Sequence, residues 1–177
     1  SGLKTITELV SASGTIQPEI EVIIRPDVSG EIVELPVKEG DYVEEGDLLL
    51  RIRPDLFQAN IDNLRANILS QKANKEQTAA SVKQAEFEFM QSKKLFEKNV
   101  ISELDYQAAK TNLDAQKASL RAAEFQIQSA EAQLRRADEE WRQTVIRAPM
   151  NGTISKLNVE LGERVLGNTQ MTGTELL

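Results

Sequence analysis

Residues 55–142 read DLFQANIDNLRANILSQKANKEQTAASVKQAEFEFMQSKKLFEKNVISELDYQAAKTNLDAQKASLRAAEFQIQSAEAQLRRADEEWR, and this stretch decides the fold. It contains none of the nine glycines and five prolines of the 177-residue chain. Both residue types interrupt regular structure, so their joint absence predicts long, continuous helix.

Apolar residues in this stretch recur in alternating steps of four and three, which keeps one stripe facing a partner helix as in a coiled coil. The first seam consists of Phe57, Ile61, Leu64, Ile68, Val82, Ala85, Phe89 and Phe96. Between Ile68 and Val82 it passes through Gln71, Lys75 and Thr78, so its middle is weak. The second seam consists of Tyr106, Ala109, Leu113, Gln116, Leu120, Ala123, Ile127, Ala130, Leu134, Ala137 and Trp141.

A short break separates the two seams at residues 97–105. Asn99 tolerates the left-handed conformation that ends many helices. Ser102, followed three residues later by Asp105, resembles a capping box that starts the next helix. We therefore predict two antiparallel helices, over about 55–98 and 103–143, that form one hairpin stalk at residues 54–143. Trp141 is expected to be a packing anchor near its base.

The segments on either side of the stalk resemble each other and predict short β-strands. At a constant offset of 122, the matching pairs include Gly30 with Gly152, Ile32 with Ile154, Leu35 with Leu157, Val37 with Val159, Gly40 with Gly162 and Val43 with Val165. Strands are expected at 22–24, 32–33 and 48–50, among others. Each segment is too small to bury a core alone. We therefore expect residues 20–53 and 144–171 to be two halves of one β body that pack face to face.

Composition excludes several classes of function. The formal net charge is −7 and residues 1–53 contribute most of it, so no basic face indicates nucleic-acid binding. Cysteine and histidine are absent, which removes thiol nucleophiles and the commonest zinc ligands. Glu44, Glu45 and Asp47 fit a solvated turn better than a calcium loop. We predict no enzymatic activity, no catalytic residues, no cofactor and no metal. No apolar run is long enough to span a bilayer.

The β segments together with the interrupting hairpin resemble a known family. The residues that carry the resemblance are Val28–Ile32, Val37–Val43, Ile146–Ile154 and Gly162–Val165. They are similar to the membrane fusion proteins, or periplasmic adaptors, of bacterial efflux and secretion systems, in particular the haemolysin-D-like and macrolide-pump-adaptor-like branches.

The resemblance implies an α+β fold in which a long antiparallel coiled-coil hairpin is inserted between two halves of a lipoyl-like β-sandwich. Residues 1–19 and 172–177 are then partial strands of an adjacent β-barrel, and the chain is expected to be a fragment of a longer protein. The family implies a periplasmic location, with attachment to the inner membrane through parts outside this chain.

The expected partners also follow from the resemblance. They are an inner-membrane ABC, RND or MFS transporter, a TolC-like outer-membrane channel, and further copies of the chain in a hexamer. The family's channel-contacting motif is Arg, Leu four residues later and Ser seven residues further. Leu95 and Ser102 match this motif, whereas Gln91 stands at the Arg position. The candidate partner-binding residues at the hairpin tip are Gln91, Lys94, Leu95, Val100, Ile101 and Ser102.

Two other functions are compatible with parts of the pattern. Lipoyl and biotinyl carriers present a modified lysine on a hairpin between their two halves. The stalk occupies that place here, which disfavours a carrier module. A purely structural coiled-coil protein is the other alternative. For the tip itself, Ser102 has a sufficient role as helix N-cap. Val100 and Ile101 form either a local apolar cluster or a docking patch.

Overall fold

A computed structural model describes residues 22–167, so the β-barrel strands expected at 1–19 and 172–177 lie outside the described residues. The elements in chain order are β1 (Gly30–Glu34), β2 (Tyr42–Val43), β3 (Leu48–Ile52), α1 (Asp55–Glu97), α2 (Glu103–Arg142), β4 (Val145–Arg147), β5 (Gly152–Thr153) and β6 (Arg164–Val165). The strand expected at 22–24 is not formed. Ile24 instead packs against the core from an irregular segment.

The two helices form the expected antiparallel hairpin. Three ion pairs connect the two helices: Lys72–Glu131 at 3.8 Å, Lys75–Glu124 at 3.0 Å and Lys117–Glu86 at 3.1 Å. They show which residues of α1 and α2 lie at the same height along the hairpin. Their side chains are roughly half exposed, so each pair stabilises the stalk by no more than about 1 kcal/mol. The ion pairs therefore set the register of the stalk more than its stability.

The seams lie between the helices, as the four–three pattern predicts. Ile61, Ile68, Leu113 and the alanines near the end of α2 are buried, and the polar middle of the first seam is only partly covered. Trp141 is the exception, because 39% of it is exposed. A rod of two helices has no third layer to cover so large a ring completely, and the role of Trp141 as a packing anchor stays a prediction.

The β body consists of a four-stranded sheet in the order β4-β3-β1-β6 and a two-stranded sheet of β2 and β5, with antiparallel pairing throughout. Both sheets contain strands from before and after the stalk. The two halves therefore pair edge to edge as well as packing together.

The two halves exchange equivalent hydrogen bonds across a local pseudo-twofold relation. The amide of Gly40 donates to the carbonyl of Ile154 at 2.8 Å, and the amide of Gly162 donates to the carbonyl of Ile32 at 2.9 Å. Gly40 and Gly162 share a φ of 86°, in the left-handed region that favours glycine. The repeat seen in the sequence thus has a structural counterpart at the level of single atoms.

The apolar core of the β body follows the same pseudo-twofold relation between the two halves. One apolar cluster contains Ile32, Val159 and Val165, and the other contains their counterparts Ile154, Val37 and Val43. The central strand β3 serves both clusters, because Leu50 and Ile52 lie in the first and Leu49 lies in the second. Neither half has a core without the other.

The stalk grows from the junction between the halves. Strand β3 leads through Pro54 into α1, and α2 leads through Thr144 into β4, which pairs with β3. The amide of Ile52 donates to the carbonyl of Thr144 at 2.7 Å, and the Thr144 hydroxyl donates to the carbonyl of Trp141. Both ends of the hairpin are therefore fixed to the β3–β4 strand pair.

Candidate functional site

The far end of α1 closes with a Schellman motif. Asn99 adopts a φ of 56°, its amide donates to the carbonyl of Phe96 at 2.8 Å, and the amide of Val100 donates to the carbonyl of Leu95 at 2.9 Å. These bonds satisfy carbonyls that would otherwise lack partners at the helix end. The chain reversal that the sequence predicted at Asn99 is thus fixed by backbone hydrogen bonds.

The start of α2 carries the predicted capping box. The Ser102 hydroxyl accepts a bond from the amide of Asp105 at 3.2 Å, and the Asp105 carboxylate accepts one from the amide of Ser102 at 3.3 Å. The same hydroxyl donates to that carboxylate at 2.7 Å. Asp therefore fills the place that Glu or Gln usually takes in this motif. Ser102 has a structural role, and its contact with a partner stays a prediction.

An aromatic stack supports the tip from below. Tyr106 of α2 stacks on Phe96 of α1, with ring centroids 4.9 Å apart and an interplanar angle of 14°. Phe89 of α1 also contacts Tyr106, with ring centroids 5.6 Å apart and an interplanar angle of 34°. Such pairs stabilise by about 0.5–1.5 kcal/mol beyond the area that they bury. The last two turns of the hairpin are therefore held as a firm platform.

Large apolar side chains stand exposed on this platform. Val100 is 65% exposed and Leu95 is 41% exposed, while Ile101 is partly covered. Leu104 is 79% exposed, and the sequence analysis did not single it out. Its position two residues after the N-cap and off the seam could have revealed it, because a leucine there has no partner on the facing helix.

Polar and charged residues border the apolar tip. Gln91, Lys94 and Leu95 lie at helical spacing on one exposed face of the last two turns of α1, and Lys98 follows as the C-cap residue. The structure thus brings the predicted tip residues of α1 together with Val100, Ile101 and Ser102 at one end of the rod. This arrangement can form hydrogen bonds and apolar contacts with another protein.

Within residues 22–167, no group of three or more potential ligands could hold a metal ion. Glu44, Glu45 and Asp47 are exposed, and the Asp47 carboxylate accepts a bond from the amide of Glu44 at 2.9 Å. Among the same residues, neither long helix is apolar enough to cross a lipid bilayer.

Comparison with known proteins places the chain in a family. The family described as RND MFP, barrel-sandwich hybrid domain, matches residues 20–174. The pyoverdine export membrane fusion protein PvdR of Pseudomonas aeruginosa is 39% identical over 166 residues, which cover 94% of this chain and 42% of PvdR. The macrolide export protein MacA of Yersinia pestis is 28% identical and is covered to 45% of its length.

The fold matches as well. The crystal structure of MacA from Actinobacillus actinomycetemcomitans superimposes with a TM-score of 0.81 at 27% identity, covering 89% of this chain and 48% of that one. The chain spans less than half the length of the curated relatives named here. The α+β fold expected from the resemblance is confirmed, and the chain belongs to the membrane fusion protein family, of which it carries the barrel-sandwich hybrid domain and helical hairpin.

Proposed function

We infer that the protein is a periplasmic adaptor for efflux or secretion, which joins an inner-membrane ABC, RND or MFS transporter to a TolC-like outer-membrane channel. In this function the tip of the hairpin contacts the channel. The transporter supplies the energy, and this chain positions and seals the conduit. Relatives whose names describe pyoverdine and macrolide export support the general role.

The observation that carries the proposal is the combination of a firm tip with an apolar surface. Solvated turns are ordinarily polar, yet the ends of both helices here expose Leu95, Val100 and Leu104. Capping bonds and the Phe96–Tyr106 stack hold them in place, so little order has to be gained on binding. Helices of about 40 residues extend roughly 60 Å and carry this surface far from the β body.

The test introduces charge at the tip of the full-length protein in its host. Leu95→Asp and Val100→Asp, alone and combined, should lower export by at least about tenfold, because a carboxylate would be buried without a partner at the contact. Because both side chains are substantially exposed, the circular dichroism and melting temperature of the protein should change little.

The matched control is Leu56→Asp. Leu56 is 81% exposed on the same helix and lies about 60 Å from Leu95 along the axis. This variant should export normally. Normal export by the combined tip variant, with unchanged protein abundance, would remove the tip from the channel contact.

Gln91 defines a finer expectation about the channel partner. An amide at this position forms neutral hydrogen bonds, whereas the arginine of the family motif forms charge-assisted, often bidentate ones. We expect Gln91→Arg to shift the preference of the adaptor toward channels that the arginine-containing motif recognises. Pull-down of the native channel and a TolC-type channel with both forms of the adaptor measures this ratio. An unchanged ratio would show that Gln91 does not select the channel.

A further inference from the structure

Two hydrogen bonds from side chains connect the halves of the β body and obey the pseudo-twofold relation. In one, the hydroxyl of Ser29 accepts a bond from the amide of Gly167 at 2.8 Å. In the other, the side-chain oxygen Oδ1 of Asn151 accepts a bond from the amide of Glu45 at 2.7 Å. The offset of 122 relates Ser29 to Asn151 and Glu45 to Gly167. We call these two bonds the Ser29 latch and the Asn151 latch.

The two latches differ in their chemistry. Each acceptor residue precedes a glycine, but only the asparagine side chain carries an amide that can react with its own backbone. The backbone nitrogen of the next residue can attack Cγ, which forms a five-membered succinimide ring and releases ammonia. Water then opens the ring at either carbonyl and leaves aspartate or isoaspartate. Asn151–Gly152 is the only Asn-Gly pair in the 177-residue sequence.

The backbone around Gly152 leaves room for this ring. Glycine adopts conformations that other residues avoid, and it has no side chain to hinder its nitrogen. A Cβ added at Gly152 would meet nothing within 4 Å, so the space beside this backbone is open. Gly152 lies in the two-stranded sheet, which pairs only Tyr42 with Thr153 and Val43 with Gly152. Because so short a pairing opens locally at little cost, the nitrogen becomes free to attack.

The Asn151 latch also activates the group that is attacked. As the nitrogen adds to Cγ, negative charge develops on Oδ1 of Asn151. The amide of Glu45 already donates to that oxygen, as a donor in an oxyanion hole does. A turn fixes the position of this donor, because the amide of Asp47 donates to the carbonyl of Glu44 at 3.0 Å and Gly46 has a φ of 93°.

We propose that Asn151 is a site of spontaneous modification in the folded protein, at which the Gly152 nitrogen displaces ammonia and water opens the ring to aspartate or isoaspartate. This inference goes beyond the proposed adaptor function and does not depend on it. Isoaspartate adds one methylene group to the backbone, so both the pairing of Gly152 with Val43 and the bond from Glu45 are lost. Formation of isoaspartate therefore opens the Asn151 latch, while the Ser29 latch stays closed.

Peptide mapping by mass spectrometry tests the site. Full-length protein purified from its host is incubated in mildly alkaline buffer, where the attacking nitrogen loses its proton more readily. The peptide that contains Asn151 should convert to aspartate and isoaspartate forms, which separate by chromatography. Asn158 is the internal control, because it is exposed and lies outside helices and strands in the same half, but Val159 follows it. Its conversion should be at least about tenfold slower, since a β-branched side chain hinders ring closure.

Two variants separate the roles of the latch. Asn151→Ser introduces the residue type that stands at the equivalent place in the other half, so it should keep the bond from Glu45 and abolish the reaction. Glu45→Pro removes the donor amide, and proline suits a turn position that precedes a glycine with positive φ. This variant should slow conversion of Asn151 by about threefold or more, a smaller effect than in a water-excluded site. Incubated original protein should melt at a lower temperature than fresh protein, whereas Asn151→Ser should not change.

Three results would overturn parts of the proposal. Equal conversion of Asn151 and Asn158, or an intact Asn151 when a synthetic peptide of residues 147–156 has been converted, would exclude the site in the folded protein. An unchanged rate in the Glu45→Pro variant would exclude activation by the latch. Equal melting temperatures of fresh and converted protein would show that the Asn151 latch does not stabilise the β body.

Discussion

The β body and the stalk reach their shapes by different means. In the body, two short halves complete each other through buried side chains and exchanged backbone bonds, so a small number of residues determines the result. In the stalk, many shallow contacts are spread over about 40 residues per helix, and its middle is partly polar. We therefore expect single substitutions to lower the stability of the β body strongly and the stability of the stalk only slightly.

The largest loss of stability is expected from substitutions in the apolar core of the β body. Ile32 and Ile154 occupy equivalent places in the two clusters and are 1% and 6% exposed. Truncation of either isoleucine to alanine should lower the free energy of unfolding by about 2–5 kcal/mol. Urea titration followed by the fluorescence of Trp141, the single tryptophan, measures both variants. A large cost for one and almost none for the other would break the pseudo-twofold account.

The next largest loss of stability is expected at the two equivalent turns that contain Gly40 and Gly162. Gly40→Ala and Gly162→Ala would each place a side chain at a φ of 86° and should cost about 1–2 kcal/mol. Gly152→Ala is the control, because its added Cβ meets nothing within 4 Å and its φ is not in the left-handed region. If all three alanine variants unfold at the same urea concentration, backbone strain does not determine these turns.

Substitutions that weaken the capping structure of the hairpin tip should lower the free energy of unfolding by about 1 kcal/mol. Asn99→Ala places an alanine at a φ of 56°, and Ser102→Ala removes the N-cap. Asn99→Gly should cost little or stabilise slightly, since glycine adopts that conformation freely. Melting curves by circular dichroism measure the three variants. Equal melting temperatures for Asn99→Gly and Asn99→Ala would contradict the description of this turn.

The smallest loss of stability is expected on removing an ion pair of the stalk. Lys75→Ala should change the free energy of unfolding by less than about 1 kcal/mol, because the side chains of Lys75 and Glu124 are both roughly 40–50% exposed. The difference should shrink further in 1 M salt, where charges are screened over about 3 Å. A loss of several kcal/mol would show that this pair, rather than the seam, holds the middle of the stalk together.

Much of this fold could be predicted from the sequence because its signals are local and periodic. The absence of glycine and proline, the four–three steps, Asn99 and the Ser102–Asp105 pair place both helices within a residue of their observed ends. The repeat that includes Gly40 and Gly162 also predicted that the two distant segments pack face to face. The backbone hydrogen bonds exchanged between them could not be predicted, since face-to-face packing and edge-to-edge pairing would bury the same side chains.

The candidate site was only partly accessible to sequence reasoning. The family motif drew attention to Leu95 and Ser102, but Leu104 lies outside that motif and emerged from its exposure. Trp141 has seam spacing and was expected to be a packing anchor, yet 39% of it is exposed, because burial depends on what surrounds a side chain as well as on its spacing.

The measurement that tests the central claim most directly is photo-cross-linking from the tip in living cells. A photoreactive amino acid replaces Val100 in the full-length protein, and a second variant carries it at Leu56. The account predicts that the tip position forms an adduct that mass spectrometry identifies as an outer-membrane channel, and that the Leu56 position does not. Equal yields of that adduct from both positions, or no channel adduct from the tip in cells that export normally, would contradict it.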